Sequence, residues 1–196
     1  MTAFWSLNEI EALARKAARG AGYDWGLAEE AGQAVRWLVA RDFRGADALM
    51  AALNAGAPSE RSDCSLATGC ALSDGLVGAV GYSATDVISP LLVLPFVAWA
   101  AERQRTSMCL TWEGAEFLVG MDGALTWRAQ TVCPDRADIA VTGAASGPLA
   151  RAIEGHRALV DCETFAALSD FAARTYAPST EASRESGAGA GLTDND

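Results

Sequence analysis

An α+β fold is what these 196 residues predict, and three features carry the prediction. Two helical periodicities follow one another at the N-terminal end with only a short loop between them, which is the pattern of a helical hairpin. Segments 107–132 then alternate apolar and polar residues around Glu113-Gly114 and Asp122-Gly123, a strand period interrupted by hairpin turns. A last helical stretch closes the patterned part. The expected architecture is an N-terminal helical hairpin and a C-terminal helix packed on a mainly antiparallel sheet.

The first helix is placed by Ser6 and Glu9, spaced as a capping box, after which Leu7, Ile10, Leu13, Ala14, Ala17 and Ala21 fall on one face. Its alanines would admit a neighbouring helix closely. Arg15, Lys16 and Arg19 point away from that face, and Gly20 and Gly22 end the helix. The loop Tyr23-Asp24-Trp25-Gly26 leads to a second helix, with Leu27, Ala31, Ala34, Val35 and Leu38 as its core stripe, Trp37 on one flank and Glu30 inside the apolar arc. A third helix runs roughly from Gly45 to Leu53 and yields to a polar break, Pro58 to Asp63.

The period changes in the middle of the chain. Leu76 to Tyr82 reads as a small buried strand, and Ser89-Pro90 as the cap and first position of a helix reaching Arg105, with Pro95 either kinking it or marking its start. Strands are expected at Ser107–Glu113, Ala115–Met121 and Ala124–Val132, as a meander, then at Asp138–Thr142 and Arg157–Val160. The last helix spans Glu163 to Tyr176. Residues 1–176 thus form a single domain, and 177–196 a glycine-rich polar segment whose composition is that of a solvated tail.

Composition narrows the chemistry. There is one histidine, His156, and a single lysine, Lys16, so histidine zinc sites and lysine-dependent phosphate loops lack their residues. No cofactor is expected, and no metal site. A net charge of −10 argues against nucleic acid and anionic membranes as partners and suits a cytoplasmic protein. Val87 to Ala101, the most apolar stretch, is too short and too broken by prolines for a membrane span. The N-terminal residues show no secretory pattern. Five cysteines, an odd number with no C-x-x-C pair, read as reduced, mostly buried thiols.

The run Lys16-Ala17-Ala18-Arg19-Gly20-Ala21-Gly22-Tyr23-Asp24-Trp25-Gly26-Leu27-Ala28-Glu29-Glu30-Ala31 resembles the opening of the uncharacterised domain-of-unknown-function family numbered 3726. The ending, Tyr176-Ala177-Pro178-Ser179-Thr180-Glu181-Ala182-Ser183-Arg184 with 187–196, is similar to how such proteins close. The resemblance brings no activity with it. It implies that the C-terminal segment belongs to the folded protein.

Candidate site residues gather at the two ends. Arg19, Tyr23, Asp24 and Trp25 would bind a small anionic molecule through guanidinium and aromatic contacts, and Tyr176, Thr180 and Arg184 would close over it, the nearby glycines allowing close backbone approach. Glu30 or Glu181 would move a proton if there is catalysis, a carboxylate in apolar surroundings being held toward its neutral form. Against this stand plainer roles: a rim carboxylate, an exposed helix end, a solvated tail. A different class of function is a noncatalytic adaptor or homo-oligomer contacting protein through Trp5, Trp25 and Trp37. A third is a serine hydrolase, since Gly81-Tyr82-Ser83-Ala84-Thr85 nearly matches G-x-S-x-G, with Asp138 and His156 following in order. Thr85 in place of the second glycine weakens it. Whether the chain is an enzyme at all, the sequence leaves open.

Overall fold

The computed structural model describes residues 1–56, 63–130, 132–143 and 150–176. Strand β1 (Thr2–Ser6) opens the chain and is followed by α1 (Leu7–Gly20), α2 (Trp25–Val39), α3 (Gly45–Asn54) and α4 (Ser65–Ser73). Strand β2 (Ser83–Ile88) leads through a 3-10 turn, Pro90–Val93, into α5 (Leu94–Gln104). Then come β3 (Met108–Trp112), β4 (Ala115–Val119), β5 (Leu125–Ala129), β6 (Arg136–Thr142), β7 (Ala150–Arg151), β8 (Arg157–Asp161) and α6 (Cys162–Ala173). The α+β class is as expected.

Six strands form one antiparallel sheet in the order β2-β6-β3-β4-β5-β7, while β1 and β8 pair separately as an antiparallel ribbon. The β3-β4-β5 meander turns at Gly114 and Gly123, both with positive φ, the conformation a glycine adopts without penalty. Its cross-strand neighbours Phe117 and Trp127 stack, and Phe43, arriving from the α2–α3 connection, meets both rings edge-on. Each such aromatic pair adds about 0.5–1.5 kcal/mol beyond simple burial. The core continues through the fully buried Leu91, Leu92, Leu94 and Phe96 of the 3-10 turn and α5, and α5 packs on β3 and β4.

The expected hairpin of α1 and α2 is present, but the C-terminal helix does not lie on the large sheet. It packs against α1, and α3 touches it too, because the alanine face of α1 and the glycine at its end leave room for a second backbone. Trp5 of the ribbon stacks on Phe165 of α6 with ring centroids 3.8 Å apart. The ribbon and α6 together bring the N-terminal and C-terminal parts of the described chain side by side.

Several local expectations are corrected. Residues 76–82 are turns and bends, not a strand: Gly75 and Gly81 take positive φ and Leu76 and Val80 are exposed. Ser89 does not cap through its side chain; it sits at φ 48°, and the helix proper starts at Leu94 with Pro95 in its first turn. Trp25 and Gly26 belong to α2 itself, with Asp24 as its N-cap. Helix α4 and strands β1, β2 and β7 were not expected. Most of the 58–63 break and of the 143–148 loop, and all of 177–196, lie outside the described residues.

Candidate functional site

The capping box expected at Ser6 and Glu9 is made in both directions, fixing where α1 starts and hence which residues end it. Counting on from that start places Arg15, Lys16 and Arg19 on the last turns of α1, beside Gly20. At the other end of the hairpin, the Asp24 carboxylate accepts the backbone N–H of Leu27 at 2.8 Å and so fixes the first turn of α2, which presents Trp25. Helix α6 is set by Asp161, whose carboxylate accepts the N–H of Glu163 at 2.8 Å, and after its last turn come Arg174, Thr175 and Tyr176.

These three ends enclose one cleft of about 620 Å³, lined by Arg15, Lys16, Arg19, Gly20, Gly22, Trp25, Arg174, Thr175 and Tyr176. Arg19 donates from Nη1 to the carbonyl of Tyr23 at 2.7 Å and lies over the Trp25 ring at 5.0 Å. Lys16 Nζ reaches the Tyr176 hydroxyl at 3.5 Å, and Arg174 rests on the Phe171 ring at 4.1 Å. Trp25 and Tyr176 remain 63% and 65% exposed, so much of each ring is open to a ligand. Several arginines elsewhere are held by carboxylates, as in Arg36–Glu11, Arg41–Glu154, Arg128–Glu116 and Arg136–Asp86. Among the described residues, none of the four cleft cations forms an ion pair.

Of the expected site residues, Arg19, Trp25 and Tyr176 therefore come together. Tyr23 and Asp24 serve the same place from beneath: Tyr23 is buried and holds Arg19 by its carbonyl, and Asp24 holds the helix that carries Trp25. Thr180, Glu181 and Arg184 lie outside the described residues. Glu30 is not at the cleft. Five residues beyond Trp25, it is turned by roughly 140° around α2, toward Asp74 at the end of α4. Burial is the main cause that raises its pKa above the ordinary carboxylate value, with the negative charges of Asp74 and Glu29 adding to it. The cleft also contains Arg15, Lys16, Arg174 and Thr175, which were not among the expected ligand-binding residues. The signal available was a concentration of cations at two predicted helix ends in an acidic chain.

The hydrolase constellation has a different geometry from the one its motif requires. Ser83 is the exposed first residue of β2, at a strand's entry and not at a strand-to-helix turn. Asp138 accepts the N–H of Asp86 on the neighbouring strand at 2.8 Å, and His156 is exposed just ahead of β8 in the other sheet. All five cysteines are free thiols. Among the described residues no cluster of three or more metal-ligating side chains occurs, and no helix is long and apolar enough to cross a membrane.

Residues 5–74 match the model of a protein family described as a protein of unknown function, DUF3726. This is the family that the α1–α2 segment resembles, and the matched span covers α1 to α4, including the first two of the three elements that build the cleft. No curated protein matches the chain, and no solved structure does.

Proposed function

We propose that this protein binds a small anionic molecule in the cleft between the end of α1, the start of α2 and the end of α6. The observation that supports the reading is the gathering of Arg15, Lys16, Arg19 and Arg174, without carboxylate partners among the described residues, in a chain of net charge −10. In such a chain a cationic cleft is a place where the long-range repulsion of anions reverses locally. Guanidinium groups held in place by Tyr23 and Phe171 would grip carboxylate or phosphate oxygens with little ordering cost. Thr180, Glu181 and Arg184 follow Tyr176 closely enough in sequence to contribute to the same site. Any catalytic step would call on Glu181, since Glu30 faces away.

A thermal-shift screen of small carboxylates and phosphates on the purified full chain tests this, repeated on a chain ending at Pro178. Stabilisation that weakens in Arg19→Gln supports the cleft as the site, and its loss on truncation would extend the site into the C-terminal segment. No stabilisation by any anion would remove the reading.

A second reading, a protein-contact surface, is favoured by a different place. Phe4 and Leu159 are partners across the β1–β8 ribbon and are 66% and 52% exposed on its outer face. Sedimentation over a range of concentrations, with Phe4→Ser as the comparison, tests whether copies of this chain associate there. A monomer at every concentration would exclude self-association.

A further inference from the structure

Resting on the reading just given, the geometry points to a ligand with at least two negative charges on a phosphoryl-type group, in preference to a monocarboxylate. Four cationic side chains line the cleft. The C-terminal ends of α1 and α6 open onto it through Gly20 and Thr175, each contributing about half a negative charge. The start of α2 contributes about half a positive charge, outweighed by its capping Asp24. What remains is roughly two to three positive charges facing one space. A monoanion would leave most of that charge uncompensated; a phosphate monoester or diphosphate would match it.

Donor supply gives the same answer. Arg19 spends one nitrogen on the Tyr23 carbonyl and Lys16 one contact on the Tyr176 hydroxyl. Among the described residues the guanidinium donors of Arg15 and the nitrogens of Arg174 have no hydrogen-bond acceptor, and the Thr175 hydroxyl is turned to the Ala172 carbonyl at 2.7 Å. The wall is thus rich in donors and poor in acceptors. A carboxylate brings two oxygens to it, a phosphoryl group three, and a diphosphate more, which suits a predominance of arginine over lysine. The cleft's volume exceeds what an inorganic head group fills, leaving the open faces of Trp25 and Tyr176 for an organic part.

Titration calorimetry on the full chain at low ionic strength, with acetate, inorganic phosphate and pyrophosphate as probes, separates the possibilities. Pyrophosphate is expected to bind at least tenfold more tightly than acetate, phosphate to fall between, and the preference to shrink severalfold in Arg15→Gln and in Arg174→Gln. Raising the salt should weaken pyrophosphate more steeply than acetate. Equal binding of acetate and pyrophosphate, lost in both variants, would overturn this inference and leave the anion site standing. Pyrophosphate binding unchanged in both variants would place it elsewhere and overturn the inference as well. No binding of any probe would take down the site and its ligand class together.

Discussion

The Cβ that Gly20 lacks would stand 1.8 Å from the carbonyl oxygen of Phe171. That single absence of a methyl group is what lets the end of α1 rest on the backbone of α6 and brings Arg19 and Arg174 to one cleft. A backbone oxygen in a helix cannot step aside as a side chain can. Gly20→Ala is therefore expected to cost about 2–4 kcal/mol of folding stability. Gly26→Ala is the contrast, because only the Asp24 carboxylate lies near its missing Cβ, at 3.6 Å. There a better helix former should add about 0.5 kcal/mol. Urea unfolding of the two variants beside the parent chain measures both signs.

Glu30 should weigh on stability in the opposite sense to a paired carboxylate. Burial first, and then Asp74 and Glu29, hold its pKa above the ordinary value, so its ionised form is disfavoured in the fold. The stability tied to its neutral form is complete below the ordinary carboxylate pKa and is lost as pH rises through the raised one. Glu30→Gln is expected to raise the melting temperature at neutral pH and to have little effect in acid, a gain within about 0.5 kcal/mol for a side chain that keeps partial access to water. A gain that persisted unchanged at low pH would contradict this account.

Arg136 binds both oxygens of Asp86, at 2.6 and 2.7 Å, and Asp63 at 2.6 Å, tying the bulge in β2 to the stretch before α4. Its hydrogen bonds lower the Asp86 pKa. The corresponding stability is present above the ordinary carboxylate pKa and disappears as pH falls through the lowered one. Melting curves of Arg136→Gln should fall below the parent's at neutral pH and converge with them in acid. They should also converge in concentrated salt, since the groups are at the surface.

Cys70 and Cys109 should be poor nucleophiles despite being free thiols. Burial pushes Cys70 up to about 12, helped by the charges of Glu30 and Asp74, and Cys109 to about 11, helped by Glu116. At pH 8 the reactive thiolate is scarce at both. Iodoacetamide on the native protein, followed by peptide mass analysis, should leave these two unmodified while all five cysteines react in denaturant.

How far the fold could be read from sequence follows from where local signals were strong. Ser6 with Glu9, the turns at Gly114 and Gly123, and the alternation of 107–132 each name an element on their own. Helix α4 carries no such signal: Ser65-Leu66-Ala67-Thr68-Gly69-Cys70-Ala71-Leu72-Ser73 is small all round, and its burial comes from neighbours such as the Phe96 ring against Gly69. The apolar 76–82 looked like a strand because composition does not reveal the positive φ of Gly75 and Gly81. Strand β1 exists only because β8 is there to pair with it, a partner nearly the whole chain away. The cleft was half legible for the same reason. Arg19, Trp25 and Tyr176 could be named from their own segments, whereas Arg15, Lys16 and Arg174 become neighbours of one space only through the packing of α1 on α6.

That pairing of β1 with β8, and of α1 with α6, sets the order in which the fold can be completed. Trp5, which stacks on Phe165, and the part of α1 that meets α6 stay uncovered until α6 docks, so α1 and α2, although packed on each other, remain an unfinished pair until then. Loop closure over such a distance is slow compared with forming a helix hairpin. The docking of α6 on α1 is therefore a late step, and it is the one that completes the cationic cleft.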